Sequence, residues 1–257
     1  MRLAIALSLP LALQSFDPWA RESSTKLRKK RFSEVYRLNL WGSPESRSGR
    51  GSEKRVAAPD RKFLYDSINR HYSSRASQTN LTIIDAPCGD FNWMPALLAA
   101  LEEKFASVTY HGFDIVPSAI KTLRQRWASR PNYHFHHSDL VESVPAQGDV
   151  LICRDLLNHV SLRDGQRVLS NLLASHTPLL VISNNAATNS NAASPGDGGG
   201  SRFVDITKAP FNWPRPSSSN GHLSVWSMSG GGLTARTRRD RTVKKKATRD
   251  TRRVARD

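Results

Sequence analysis

The segment Asp85-Ala86-Pro87-Cys88-Gly89-Asp90-Phe91-Asn92-Trp93-Met94 joins a β-rich run to a helix-like run. Leu81 to Asp85 precedes it as a predicted strand, and Pro95 to Phe105 follows it as a predicted helix. Proline is acceptable near a helix start, and glycine in such a turn lets a ligand approach the backbone closely. The segment therefore indicates a binding loop between a strand and a helix.

The same alternation continues along the chain. The further predicted strands are Val108 to Asp114, Tyr133 to His137, Asp149 to Cys153 and Leu179 to Ser183. The further predicted helices are a stripe through Phe63, Leu64 and Ile68, then Ser118 to Ala128 and Arg163 to Ser175. This alternation is typical of an α/β fold with a mostly parallel sheet covered on both faces. Two later runs, Arg202 to Ile206 and Leu223 to Trp226, predict an antiparallel pair at the sheet edge.

Three aspartates mark the ends of the first three predicted strands: Asp85, Asp114 and Asp139. In a parallel sheet the ligand binds beyond the carboxyl ends of the strands, where the strand order reverses. Asp114 ends the second strand at the spacing from Gly89 that suits hydrogen bonds to ribose hydroxyls. The three acids therefore predict a nucleoside-containing ligand.

The glycine content of the loop separates two classes of ligand. A pyrophosphate-binding loop prefers three glycines, whereas this loop has only Gly89 and carries Asp90 beside it. A carboxylate at that place repels a diphosphate but pairs with the ammonium of an amino acid. The loop thus favours a ligand that joins adenosine to methionine over NAD.

Residues 85 to 94 resemble motif I of class I S-adenosylmethionine-dependent methyltransferases, in particular a compact group that carries D-A-P-C-G-D-F-N-W-M nearly verbatim. The resemblance covers about residues 32 to 229. Its other segments are Trp41 to Ser52, Phe113 to Pro117, Cys153 to Ser161, and Arg202 to Asp205 with Pro210 to Asn212 and Leu223 to Trp226. It implies a Rossmann-like, mostly parallel seven-stranded sheet with an antiparallel edge strand, helices on both faces, and S-adenosyl-L-methionine as cofactor.

The resemblance also implies a set of cofactor-binding residues. Asp85, Gly89 and Asp90 would surround the methionine part, Asp114 would hold the ribose, and Asp139 with Leu140 would flank the adenine. The full set is Asp85, Ala86, Cys88, Gly89, Asp90, Phe91, Asp114, Ile115, Asp139 and Leu140.

On the acceptor side, Asp155 and His159 are four residues apart and would share one face of a helical turn. Asp155 would orient His159 as a general base near neutral pH. The alternative is that Asp155 caps the turn while His159 packs. Arg154 suits an acidic acceptor because its guanidinium is a planar fork of donors. Trp41, Glu45, Ser46 and Ser48 belong to a loop that would fold over the cofactor as a lid, and Arg202 is a further substrate-binding candidate.

Histidine and cysteine patterns do not favour a metal site. Strand alternation puts His134 and His136 on one face and His137 on the other, and no further ligand has metal-site spacing. Cys88 and Cys153 follow strands that neighbour each other in this fold, so a disulfide is conceivable, and two reduced thiols are the prediction.

The ends of the chain differ from its centre. The formal net charge is +16, and residues 236 to 257 carry eleven Lys or Arg against three Asp. We predict a disordered basic tail over 230 to 257 with non-specific polyanion contact through 236 to 257, and a flexible loop over 186 to 200. The apolar run Leu3 to Leu13 is too short to span a membrane and reads as a targeting signal or a frayed extension. Residues 21 to 31 are predicted to be a basic linker. The predicted location is cytoplasmic or, if the N-terminal segment acts as a signal, the secretory pathway or an organelle.

These patterns predict a methyltransferase that acts on a small-molecule or glycan-type acceptor by in-line methyl transfer. Enzymes that methylate base amino groups usually carry N/D-P-P-Y after the fourth strand, where this chain has Arg154-Asp155-Leu156-Leu157. The alternative is a polyanion- or nucleic-acid-binding protein with an inactive methyltransferase-like domain. The presence of all three acids argues against that alternative.

Overall fold

The computed structural model describes residues 25–187, 191, 201–229 and 232–233. The helices are α1 (Thr25–Leu38), α2 (Ala58–Tyr72), α3 (Met94–Glu102), α4 (Pro117–Arg126) and α5 (Leu162–Ala174). The strands are β1 (Asn80–Asp85), β2 (Ser107–Asp114), β3 (Tyr133–His137), β4 (Val150–Cys153), β5 (Leu179–Ser183), β6 (Ser218–Ser219), β7 (Leu223–Ser229) and β8 (Gly232–Leu233). The predicted targeting segment, most of the 186 to 200 loop and the basic tail from 236 onward lie outside the described residues.

The strands form one sheet in the order β3-β2-β1-β4-β5-β7-β6, and β8 pairs with β7. β1 to β5 run parallel, whereas β7 is antiparallel to both β5 and β6. This order confirms the predicted Rossmann-like fold with its seven-stranded, mostly parallel sheet. The order reverses between β1 and β4, so the crevice for a ligand lies beyond the carboxyl ends of these two strands.

The central strands are apolar throughout because both faces of the sheet are covered. All four residues of β4 are buried. Alternate residues enter two separate cores: Ile83 and Ile152 pack with α3, while Ile84 and Leu151 pack with α5. Near-continuous apolar runs are expected of parallel strands covered on two sides. At the start of α5, the Ser161 side chain accepts a hydrogen bond from the Asp164 amide, as an N-cap residue does.

Helix α1 corrects the prediction of a linker over residues 21 to 31, since a helix begins by Thr25. Its buried positions are Arg28, Phe32 and Val35, which have helical spacing. The buried stripe begins with an arginine, so a search for apolar periodicity did not detect it.

The predicted strand over Arg202 to Ile206 is also wrong, because this segment is irregular. Its hydrogen bonds go to the chain just after β5: the Asn185 amide donates to the Val204 carbonyl at 2.7 Å, and the Ile206 amide donates to Asn184 Oδ1 at 2.7 Å. The strand β7 instead pairs with the two-residue strand β6. Two residues of the predicted tail, Gly232 and Leu233, form β8. Among the described residues, no helix has the length and apolar character to cross a bilayer.

Candidate functional site

A cavity lies beyond the carboxyl ends of β1, β2 and β4. Helix α1 and residues 41 to 52, which we call the lid segment, line it on the other side. The predicted residues that line it are Trp41, Ser48, Asp85, Cys88, Gly89, Asp90, Asp114, Ile115, Arg154, Asp155 and His159. Residues far apart in the sequence thus meet at the place where the strand order reverses.

Gly89 and Asp114 form the centre of this cavity. The Gly89 amide donates to Asp114 Oδ2 at 3.0 Å, and the Val116 amide donates to Asp114 Oδ1 at 2.9 Å. Gly89 has a φ of 58°, and a Cβ on it would lie 2.3 Å from Ser48 Oγ. Only glycine fits here, because both its left-handed backbone and its contact with the lid segment exclude a side chain.

The buried acids of the cavity hold their protons more firmly than free aspartates. Burial raises the pKa of Asp114 to about 6. Burial also raises the pKa of Asp85 to about 7, although the Tyr110 hydroxyl donates to its Oδ2 at 2.8 Å. A cation in the cavity would favour the ionised carboxylates.

The carboxylate of Asp90 contacts the lid segment. Its carboxylate accepts hydrogen bonds from Ser46 Oγ at 3.0 Å, from Ser48 Oγ at 3.2 Å and from the Arg47 amide at 2.6 Å. Asp90 therefore anchors the lid segment, and its predicted contact with a ligand ammonium stays a prediction. Glu45 has a similar task, since it accepts from Asn92 Nδ2 at 2.9 Å and from the Lys54 amide at 3.1 Å. Ser46 and Glu45 thus hold the lid in place without lining the cavity.

Trp41 is the lid residue that lies over the cavity. Its indole ring lies 4.8 Å from the His159 imidazole, centroid to centroid, with the planes tilted by 31°. In the described part of the chain, no acceptor reaches the buried Trp41 Nε1. A buried donor without a protein partner is one that a ligand acceptor would satisfy.

Helix α1 adds cavity residues that the sequence analysis missed, Phe32 and Tyr36. The Tyr36 hydroxyl lies 2.6 Å from Ser48 Oγ, which joins the helix to the lid segment. Burial raises the pKa of Tyr36 well above its usual value, so this hydroxyl stays protonated. The Phe32 ring also faces the neighbouring recess around Asp139.

Asp139 and Leu140 line a smaller recess beside the main cavity, together with Ile115 and Pro87. Asp139 Oδ2 accepts from Arg28 Nη2 at 2.7 Å and from Arg28 Nε at 3.0 Å, and its Oδ1 accepts from the Val141 amide at 3.1 Å. Asp139 is therefore the anchor of α1, and Leu140 with Ile115 supplies apolar surface to the recess.

Two residues of the predicted cofactor set do not face the cavity. Phe91 packs into the core, with ring centroids 4.8 Å from Tyr110 and 5.2 Å from Phe135. Ala86 is fully buried, and its amide donates to the Ile152 carbonyl at 2.8 Å, which ties the loop to β4. Both residues shape the loop from behind. Cys88 and Cys153 are buried free thiols, as predicted.

The acceptor side differs most from the prediction. Asp155 Oδ1 lies 2.7 Å from His222 Nε2, and Asp155 Oδ2 lies 2.8 Å from Arg154 Nη1. Asp60 Oδ2 contacts the same two residues, at 2.7 Å from His222 Nδ1 and 2.9 Å from Arg154 Nε. We call these four side chains, Asp60, Arg154, Asp155 and His222, the charge ring. Asp155 therefore pairs with His222, and the predicted orientation of His159 by Asp155 stays a prediction.

The ring also changes the role of Arg154. Its Nη2 donates to the Gly51 carbonyl of the lid segment at 2.9 Å, so its donors are engaged by Asp60, Asp155 and Gly51. Arg154 thus fixes the lid segment, and its predicted contact with an acidic acceptor stays a prediction. Arg202 lies in another chamber, where its Nη2 donates to the Val160 carbonyl at 2.6 Å.

Histidines cluster on the outer strands of the sheet. The rings of His111 and His134 stack at 4.8 Å, and those of His111 and His136 stack at 5.3 Å. His134 and His136 share a face, as strand alternation predicted. Across the described ranges, no group of three or more His, Cys, Asp or Glu is arranged to hold a metal ion.

No protein-family model matches this chain, and no curated protein is significantly similar to it. Solved structures with a similar fold include the magnesium protoporphyrin IX methyltransferase of Synechocystis with bound SAM, at 15% identity over 78% of this chain and 94% of that chain, with a TM-score of 0.46. Another is the N-methyltransferase NodS of Bradyrhizobium japonicum in complex with S-adenosyl-L-homocysteine, at 15% identity over 61% of this chain and 75% of that chain, with a TM-score of 0.44. These likenesses are remote, and neither an activity nor a ligand follows from them.

Proposed function

We propose that this chain is a class I S-adenosylmethionine-dependent methyltransferase that acts on a small-molecule or glycan-type acceptor. The observation that carries the proposal is the Asp114 carboxylate at the end of β2. The amides of Gly89 and Val116 hold it in the wall of the cavity at the switch point of the sheet. An acid in this position is suited to binding ribose hydroxyls.

The charge of the cavity fits this cofactor better than a dinucleotide. Four aspartates line it, and of these Asp155 is paired with Arg154 and His222, which leaves Asp85, Asp90 and Asp114. Because like charges repel strongly at low dielectric, such a wall disfavours a diphosphate. S-adenosylmethionine instead carries a sulfonium and an ammonium, both of which are cations.

From their positions in the cavity, we assign these residues to parts of the cofactor. Asp114 would hold the ribose, Asp85 and the backbone at Gly89 the amino-acid part, and Ile115 with Leu140 the base. The Trp41 indole N–H is a donor for which the described protein supplies no acceptor. When bound, the cofactor supplies a methyl group activated on a sulfonium.

The protein's contribution is positioning and exclusion of water. The lid segment is held closed by Asp90, Arg154 and Tyr36, so the cavity is covered in this conformation. His159 lies in the cavity wall against Trp41 and is the residue that we propose as proton acceptor. Its orientation comes from Trp41 and from Asn158, whose Nδ2 lies 3.2 Å from His159 Nε2.

Calorimetry on the full chain tests the cofactor. We expect S-adenosylmethionine and S-adenosylhomocysteine to bind and NAD not to bind. Asp114→Ala should weaken binding at least about tenfold, since a buried charge-assisted hydrogen bond contributes about 1.5–3 kcal/mol. The matched control is Asp66→Ala, which removes a half-exposed aspartate of α2 that pairs with Lys62 outside the cavity. Tight NAD binding, or equal effects of the two substitutions, would overturn the proposal.

A further inference from the structure

A second chamber of about 220 Å³ adjoins the cavity beyond the carboxyl ends of β4 and β5. Its walls come from the turn after β4, from Ser183 to Asn185 at the end of β5, and from the irregular segment 201 to 204.

The turn after β4 forms the partition between the two spaces. Asp155 lines both of them, Leu156 lines the cavity, and Leu157 with Asn158 lines the second chamber. A molecule in the second chamber therefore meets a molecule in the cavity at Asp155.

The partition is held in an unfavourable backbone conformation. Asp155 has a φ of 58°, in the left-handed region that non-glycine residues seldom adopt. Its amide donates to Ser183 Oγ at 3.0 Å, while its carboxylate is fixed by the charge ring. Such conformations persist where the surroundings over-determine them, and they concentrate at binding sites.

Phe203 gives the second chamber an aromatic wall. Its side chain is the most exposed of the large hydrophobic side chains in the described part of the chain, at 73%, although the next residue, Val204, is buried. A single exposed hydrophobic residue is ordinary on a protein surface. Here the exposed ring lines a chamber, so a planar or ring-shaped ligand has a face to stack on.

Asn158 gives the chamber a polar anchor. Within the described ranges, no donor reaches its buried Oδ1. Its other side-chain atom, Nδ2, contacts His159 at 3.2 Å, and its backbone carbonyl accepts from the Arg202 amide at 3.2 Å. Asn158 thus offers an acceptor to a ligand hydroxyl while it touches the residue that we propose as proton acceptor.

We propose that the second chamber is the acceptor site, and that it takes a hydroxylated ring which stacks on Phe203 and donates a hydroxyl to Asn158 Oδ1. This inference rests on the proposed function, since it places the acceptor across Asp155 from the methyl donor. A phenol and a pyranose sugar share this chemistry, because each has a ring face and hydroxyl groups. Phe203 and Asn158 are then the residues that determine acceptor specificity.

The test uses ligand-observed NMR on the full chain saturated with S-adenosylhomocysteine, with catechol and methyl β-D-glucopyranoside as separate probes. We expect at least one probe to bind, and the stronger of the two identifies the ring type. Phe203→Ala should weaken that binding about two- to tenfold, the range of an aromatic stacking contact. Asn158→Ala should weaken it as well. The matched control is Val144→Ala, which shortens another exposed hydrophobic residue outside the chamber.

Calorimetry with S-adenosylhomocysteine on the same samples separates the two proposals. If S-adenosylhomocysteine binds but neither probe does, the acceptor inference is overturned and the cofactor proposal stands. Probe binding that survives both Phe203→Ala and Asn158→Ala also overturns the inference. If the unaltered chain does not bind S-adenosylhomocysteine, the cofactor proposal fails, and the acceptor inference fails with it.

Discussion

The charge ring shows how single residues at this site depend on partners distant in the sequence. The hydrogen bonds that His222 donates to Asp155 and Asp60 raise its pKa to about 9, although burial opposes the shift. Burial alone would raise the pKa of Asp155, but its bond to His222 and the nearby charge of Arg154 bring it down to about 2. The ring thus pairs two carboxylates with two cations, and this pairing keeps Asp155 ionised at the partition.

These shifts give the ring a defined pH window. The pKa of His222 is higher in the folded than in the unfolded protein, so its contribution to stability is complete below about pH 6.5 and is lost as the pH rises towards 9. The pKa of Asp155 is lower when folded, so its contribution is complete above about pH 4 and is lost as the pH falls towards 2. The ring stabilises the fold most between these limits.

His222→Gln should therefore lower the free energy of unfolding at pH 6 more than at pH 9. We expect a loss on the order of 1–2 kcal/mol at pH 6, after allowance for the partial exposure of the His222 side chain. Urea unfolding at the two pH values measures it. The control is His134→Gln, which changes an exposed histidine outside the ring. An equal loss at both pH values would show that His222 is neutral in the folded protein.

At the scale of elements, helix α1 is held to the domain by one buried arginine. Arg28 lies 2.7 Å from Asp139, 2.9 Å from Glu142 and 3.5 Å from Asp164. The side chains of Asp139 and Asp164 are themselves buried. The same helix carries Phe32 and Tyr36 into the cavity wall, so its attachment and the shape of the cavity depend on each other.

Arg28→Met should consequently weaken both the fold and the binding of S-adenosylhomocysteine. Methionine keeps much of the apolar stem but leaves buried carboxylates without their cation, and breaking a buried ion pair costs about 3–5 kcal/mol. Urea unfolding and calorimetry on the full chain measure the two effects. Lys30→Met on the exposed face of α1 is the control and should change neither. Loss of stability with unchanged affinity would mean that α1 is not part of the binding wall.

The sequence predicts those elements whose signal is local. β3 and β5 have the predicted bounds and β1 begins one residue earlier, because each is a β-rich run that turn residues or a short connection delimit. The sequence pattern did not predict helix α1, because Arg28 occupies the first position of its buried stripe. Strand β6 has two residues and exists only through its pairing with β7, which no local pattern records.

The same distinction applies to the site. Asp85 and Asp114 were predictable because strand ends in a parallel sheet meet at one edge. Asp60 and His222 were not, because their roles come from contacts between α2, the turn after β4 and the start of β7. Sequence spacing predicted His159 as a partner of Asp155, and the contact between Asp155 and His222 comes from tertiary packing.

For the whole molecule, the excess charge lies outside the centre of the domain. Residues 25 to 55 carry ten Lys or Arg against three Glu, and residues 56 to 233 carry fifteen against fourteen Asp or Glu. The tail from 236 to 257 adds eleven against three. The centre of the domain is thus nearly neutral, and contact with a polyanion would fall to the ends of the chain.

Deletion of residues 234 to 257 should therefore separate two properties. S-adenosylhomocysteine affinity should stay within about twofold of the full chain, because no cavity residue is removed, whereas a short DNA duplex should bind more weakly. The loss should be largest at low salt, since each phosphate neutralised by Lys or Arg adds about 0.9 to the slope of log affinity against log salt concentration. Calorimetry and a salt series of duplex binding measure the two properties. If the shortened chain kept the full salt slope, the contact with the duplex would come from the basic residues of 25 to 55. These residues lie beside the cavity, so the tail would not be the polyanion-binding segment.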